Sequence, residues 1–411
     1  MNLSPPPPAA ASREMRSVVV LALGFGLVGI DRYLISTLFP VIARDLHLGY
    51  GDIGTITGAL SIAWGSAALI MGNLSDHVGR RRVLTGALVA FALLIGANGL
   101  AASLAGLVAV RMVMGFVDGA YTPASISATL EASAPGHHGR NIGIQQMTLT
   151  LFGLGLSPLL VAWLLRHIEW RLIFLIFIVP ALLLAWFTWR VIGGAAPPVR
   201  AAGGNPLADW RTVLGYRNVR LLMLGMLCWL TSLVITSALM PNYLLDHLHL
   251  TFGQMSDVMS AIGFGSMAGT LILPWLSDRL GRKLVMILST VGTVLALLCL
   301  QSLSGASIAA LFASLFAVHF FNNALITLTV GPVCAESVPS AMMATASGLV
   351  IAVGELFGGG LAPIIGGQIA AHFGIQDILW LPIGAASLGF FLCLGLRETR
   401  PGMVRSAEPA G

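Results

Sequence analysis

Four charged residues stand inside otherwise apolar stretches of the first half of the chain: Asp31 and Arg32, then Arg111 and Asp118. Arg111 and Asp118 are seven residues apart, two helical turns, and so share a helix face. A charge at the centre of a membrane helix costs about 2.5 to 3.5 kcal/mol on insertion scales, so four of them need partners or a wet cavity. Two acids and two guanidinium groups can simply neutralise one another as a structural quartet. They can also do chemistry. With both acids ionised the quartet is neutral, and a proton on one leaves a net positive centre that accepts an anion. Proton and anion then favour each other's binding by reciprocity. On this view Asp31 and Asp118 exchange protons, while Arg32 and Arg111 bind the anion with Tyr33 beside them.

Other apolar segments carry polar groups of the same two-sided kind. Gln145 and Gln146 open one segment, Asn242-Tyr243 end another, and His319, Asn322, Asn323 and Thr327 share a third. Buried amides and hydroxyls either bind substrate hydroxyls or hold helices together. Gln145, Gln146, Asn322 and Asn323 are the candidates for substrate contact, and His319 suits a hydrogen-bonded core position better than a proton relay. Glu355 lies in the glycine-rich run Gly354 to Gly367, whose Pro363 permits a bend. It fits a second proton carrier and, equally, a protonated acid hydrogen-bonded across a helix seam. The site therefore comprises Asp31, Asp118 and Glu355 for proton coupling and the residues above for substrate.

The elements that must position these groups announce themselves as a repeat. Gly72-Asn-Leu-Ser-Asp-His-Val-Gly-Arg-Arg-Arg82 and Pro274-Trp-Leu-Ser-Asp-Arg-Leu-Gly-Arg-Lys283 are nearly one loop, 202 residues apart in a chain of 411. Gly72, Asp76, Gly79, Arg80 and Arg81 in the first copy, and Asp278, Gly281, Arg282 and Lys283 in the second, form charged turns between apolar segments. Such turns suit gates that pin the inner ends of two bundles together; a plain positively charged turn is the simpler alternative.

With 56% hydrophobic residues, 9% charged residues and a mean hydropathy of +0.88, the chain has no ordinary polar surface to offer water. It divides into twelve apolar segments of about 20 residues or more, each able to cross a hydrocarbon core of about 30 Å as a helix. The expected fold is all-α and polytopic: a tail at 1–16, a six-helix bundle at 17–192, a linker at 193–218, a second six-helix bundle at 219–397 and a tail at 398–411. Seventeen of the 22 Lys and Arg fall on one side if the N-terminus is cytoplasmic, so both termini are expected there. Cys228, Cys299, Cys334 and Cys393 show no paired or metal-ligand spacing and are expected as small core residues.

The G-x-L-x-D-x-x-G-R-R pattern of the twin loops resembles the cytoplasmic loop signature of the major facilitator superfamily, and the resemblance spans essentially the whole chain. It implies two pseudo-symmetric bundles that rock about a central site. Asp31-Arg32 with Arg111-Met-Val-Met-Gly-Phe-Val-Asp118 resembles that family's anion:cation symporter branch. There the first-helix Arg contacts a substrate carboxylate and the first-helix Asp and a fourth-helix acid handle protons. That acid is usually Glu, and here it is Asp118.

The expected function is proton-coupled uptake of a small organic anion, a sugar acid or other carboxylate, by a monomer in a bacterial inner membrane. One alternative is a proton-coupled drug or metabolite exporter, although Gly153-Leu-Gly-Leu-Ser-Pro158 lacks the paired glycines that exporters of the family carry after the proline. Another is a membrane sensor or scaffold. No nucleophile and base pairing, metal-ligand spacing or phosphate loop stands out, so no enzyme activity, cofactor or metal is expected, and the net charge of +5 needs no nucleic-acid partner.

Overall fold

The computed structural model describes residues 8–71, 79–134, 137–193, 206–303, 307–339 and 342–400, and all their regular structure is helical. The membrane helices are α1 (Pro8–Leu46), α2 (Tyr50–Met71), α3 (Arg80–Leu100), α4 (Leu104–Ala132), α5 (His138–Leu164) and α6 (Trp170–Val191). After a connecting helix at Pro206–Gly215 come α7 (Arg217–Ala238), α8 (Phe252–Leu280), α9 (Arg282–Ser302), α10 (Ile308–Glu336), α11 (Thr345–Phe373) and α12 (Ile375–Gly395). Eleven of these are long and apolar enough to cross a membrane over their described residues, and the 22-residue α2 takes second place in the series of twelve.

Burial sorts the helices. In α1 and α7 the most apolar stretch is 78% buried, against 33% in α6, so α1 and α7 sit at the centre and α6 outside. Trp163, Val179, Leu183 and Trp186 on the first six helices, and Trp275, Leu295 and Phe391 on the last six, are at least half exposed. An apolar exterior of this extent suits lipid and not water.

Within the first half α1 packs on α5, α2 on α4 and α3 on α4 and α6; in the second half α7 packs on α12, α8 on α10 and α9 on α10 and α12. The halves meet where α2 crosses α11 and where α5 crosses α8. Without water to expel from lipid, such crossings depend on close packing, and glycine supplies it. A Cβ on Gly263 of α8 would collide with the backbone of Gly155 on α5, and one on Gly54 or Gly58 of α2 with the carbonyls of Pro363 or Gly360 on α11.

Two expectations change at the ends. Residues 8–16 are helical, not tail, because Pro8 suits a first helical turn, three alanines follow, and Glu14 is tied to Asn141 at 2.8 Å. Glu398 to Arg400 are held against the second bundle, as described below. Within the expected linker, a helix at Pro206–Gly215 buries Val213 and packs on α7 and the start of α11. Cys299 also departs from expectation: it is exposed on the outer face, whereas the other three cysteines are buried.

Gly263→Val is expected to lower the melting temperature in detergent by several degrees, since overpacking a tight contact costs about 1 to 3 kcal/mol. Gly86→Val, where an added Cβ meets nothing within 4 Å, is expected to leave it unchanged. Differential scanning fluorimetry on the two variants makes the comparison.

Candidate functional site

Asp31 and Arg32 occupy the middle of α1 and, as neighbours about 100° apart around a helix, point to different partners. Arg32 turns toward the other bundle: its Nη2 donates to Glu355 Oε2 on α11 at 2.9 Å and to Ser61 Oγ on α2 at 3.3 Å. Its guanidinium lies over the Trp64 ring at 4.2 Å and stands 5.8 Å from the Tyr33 ring. Ser61 and Trp64, three residues apart, present one face of α2 to it. Arg111 on α4 turns toward α1, donating from Nη1 to the Asp31 carbonyl at 3.0 Å and standing 3.9 Å from Asp31 Oδ2. Its Nε and Nη2 have no hydrogen-bond partner. Neither carboxylate oxygen of Asp31 or Asp118 accepts a hydrogen bond. All five groups are buried, and Asp118 feels the charges of the other four.

This arrangement corrects the charge count made on four residues. Glu355 joins the centre, giving three carboxylates against two guanidinium groups. Fully ionised, the centre carries a net charge of −1 instead of zero. One proton neutralises it, and only a second leaves it positive.

A narrow crevice of about 20 Å³, the room of a single water, lies beside the centre. Arg32, Tyr33, Ser36, Thr57, Ser61 and Arg111 line it from the first bundle, and Val234, Ser237 and Ala238 of α7 line it from the second. Two guanidinium groups and five hydroxyls on an apolar wall supply donors suited to an anion.

The remaining candidates divide. Gln145 is buried and donates to Ser125 Oγ on α4 at 2.6 Å. Gln146, one residue on, is exposed on the outer face of α5 and does not reach the cavity. Asn322 donates to the Trp229 carbonyl at 3.1 Å, and Asn323 to Thr270 Oγ1 at 3.1 Å, so both tie α10 to its neighbours in the second bundle. Thr327 bonds the Asn323 carbonyl at 2.9 Å. His319 is buried with Nε2 at 3.0 Å from Thr236 Oγ1. Asn242 donates to Asp246 at 3.3 Å, and Tyr243 is buried.

Gly72 and Asp76 of the first loop lie outside the described residues. Gly79 and Gly281 turn the two loops at φ 93° and 102°, a region where a side chain is strained. Each turn opens a helix with a cation, which the helix dipole disfavours, and a carboxylate answers in each half. Arg80 pairs with Glu131 at the end of α4 at 2.5 Å, and Arg282 with Glu336 at the end of α10 at 2.9 Å. Arg282 also meets Asp278 at 2.6 Å, Arg81 lies over Trp189 at 3.7 Å, and Lys283 Nζ donates to the Leu394 carbonyl at 2.8 Å. These described pairs stay inside their own bundle instead of joining the two, because the glycine turn aims each cation back at the adjacent antiparallel helix. Glu398 completes the second cluster, accepting from the backbone N–H groups of Arg282 at 2.9 Å and Lys283 at 3.1 Å and so capping α9.

Ser36, Ser61, Thr57 and Ser237 were not legible as site residues, since single hydroxyls in apolar runs are common. Glu131 and Glu336 had a usable signal. Each is an acid at the end of the second helix after its loop, in both halves.

Residues 21–251 and 222–410 each match the family model described as Major Facilitator Superfamily. The chain belongs to the Major Facilitator Superfamily. It is 26% identical to a "probable 4-methylmuconolactone transporter" of Cupriavidus pinatubonensis over 95% of this chain and 92% of that protein. It is 26% identical to the 3-(3-hydroxy-phenyl)propionate transporter of Escherichia coli over 89% of each, and 24% identical to a sialic acid transporter of the same organism over 91% of each. The fold matches that of the nucleoside transporter NupG with a TM-score of 0.79 at 16% identity, covering 93% of this chain and 99% of that one.

Burial alone would raise the Glu398 carboxyl, but the N–H groups of Arg400, Arg282, Lys283 and Thr399 outweigh it and hold the carboxyl below its usual range. A depressed carboxylate stabilises the fold above its unfolded pKa, and that contribution is lost as pH falls through the folded value. Glu398→Gln is therefore expected to speed amide exchange in the first turn of α9 about fivefold at pH 7, as loss of a cap worth about 1 kcal/mol would. The difference from the wild type should shrink below about pH 4, near the usual carboxylate range.

Proposed function

We propose that this transporter carries a small organic anion, a sugar acid or another carboxylate, inward together with protons, by exposing the Arg32 centre alternately to the two membrane faces. The observation that carries the proposal is Arg32 itself: a buried guanidinium on the cavity wall, at mid-helix, bonded to a carboxylate from the opposite bundle. A group so placed recognises a carboxylate by charge-assisted hydrogen bonds and feels any relative motion of the bundles. Arg111, with two unpartnered donors on the same cavity, supplies a second contact for the anion, and Tyr33 a hydroxyl. Asp31, Asp118 and Glu355 are the carboxylates that handle protons. Relatives named for a propionate and for sialic acid agree with an acidic substrate.

From Tyr50, which donates to Asp246 at 3.0 Å, inward to Arg32 and Glu355, the bundles are in contact along α2 and α11. Alternating access would part them here and close the opposite face, where the loops carrying Arg80 and Arg282 keep each bundle rigid. The excess of Lys and Arg at that opposite face supports a cytoplasmic location for it and for both termini, in a bacterial inner membrane, with the protein acting as a monomer.

The test is uptake into proteoliposomes. With an inward proton gradient the wild type should accumulate carboxylates from a panel above equilibrium. Arg32→Ala should lose at least tenfold in uptake, the scale of a charge-assisted hydrogen bond of about 1.5 to 3 kcal/mol. Asp31→Asn, which leaves Arg111 without its acid, should abolish gradient-driven accumulation. Wild-type driven uptake in both variants refutes the site, and export of lipophilic cations with no response to carboxylates transfers the protein to drug export.

A further inference from the structure

We propose that Glu355 is a resident carboxylate that occupies the anion-binding face of Arg32 in the empty transporter, and that substrate displaces it only when Glu355 takes up a proton. The inference rests on the carboxylate-transport reading above and narrows its three proton-handling acids to one that exchanges directly against substrate.

The geometry supplies each step. Arg32 Nη2 reaches both Glu355 Oε2 at 2.9 Å and Ser61 Oγ at 3.3 Å, and both charged side chains are 8% exposed. The Trp64 ring covers one face of the guanidinium, and Glu355 and Ser61 share Nη2, so a substrate carboxylate that takes Nη2 competes with Glu355 for it. Once displaced, an ionised Glu355 would be buried without a partner, at a cost of several kcal/mol. The charged and titratable groups acting on it are Arg32 and Tyr33 from α1 and Asp118 from α4. From α2 the described neighbours are Ser61 and Gly65, and α7 offers Met226 and Leu230 to the adjacent Gly354. None of these can replace the lost guanidinium. A proton on the freed Oε2 removes the charge, and the Arg32 N–H groups that bonded Glu355 bond the incoming carboxylate instead.

Charge balance agrees. With Asp118, which has no donor on either oxygen, holding one proton, the empty centre is neutral: Arg32 with Glu355 and Arg111 with Asp31. Exchanging the Glu355 charge for one anion and one proton leaves it neutral, whereas adding an anion alone does not. Glu355 stands in the widened turn Gly354–Leu361, at the seam where α11 meets α2.

The test is the pH dependence of binding of benzoate, 3-phenylpropionate and gluconate to the purified transporter, by calorimetry, from pH 5.5 to 8.5. In the wild type, Kd for a bound acid should rise about tenfold per pH unit at the alkaline end, one proton per anion. Glu355→Gln should bind at least tenfold more tightly at pH 8.5 with no such slope, Glu355→Asp should restore the slope, and Asp118→Asn should keep it. A wild-type slope in Glu355→Gln, or a flat wild type that still binds, overturns the role of Glu355 while leaving carboxylate transport intact. No binding of any of the three acids by the wild type overturns the carboxylate reading and this inference with it.

Discussion

A guanidinium group buried between two bundles has to be answered by a negative charge, and the ion pair of Arg32 with Glu355 is that answer in this molecule. In low-dielectric surroundings an unpaired charge is costly, so the two sides of the transporter are coupled through whatever carboxylate Arg32 holds. That single requirement gives meaning to the neighbours. Ser61 and Trp64 fix the guanidinium, Asp31 and Arg111 balance each other one helix away, and Asp118 completes the set.

The rest of the fold keeps this contact at the seam without freezing it. Glycines let α2 approach α11 and α5 approach α8 so closely that backbone meets backbone, which suits surfaces that separate and meet again better than interlocked large side chains would. The charged turns act at the other scale. They pair Arg80 with Glu131 and Arg282 with Glu336, each within its own half.

Most of the fold was written in hydropathy and in the repeated loop, because twelve apolar stretches and a half-length copy leave few architectures open. The paired acids and bases of α1 and α4 were legible for the same reason: a charge in an apolar run is conspicuous. What the sequence could not convey was pairing across the halves. Glu355 and Arg32 are 323 residues apart, and nothing local marks Arg32 as turning toward α11 and not toward Asp118. Rotation around a helix was equally hidden, so Gln145 and Gln146 looked equivalent although one is buried and the other exposed. The loop cations were visible as charges, and their acids, Glu131 and Glu336, were marked only by recurring in both halves, since they lie more than fifty residues downstream of Arg80 and Arg282.

The most direct measurement of the central claim, that Arg32 trades one carboxylate for another, is proton uptake on ligand binding by the purified transporter in weakly buffered solution near neutral pH. A carboxylate that binds should draw about one proton from solution per molecule bound, because the displaced Glu355 must be neutralised. Binding with no proton exchange, or with proton release, would contradict it.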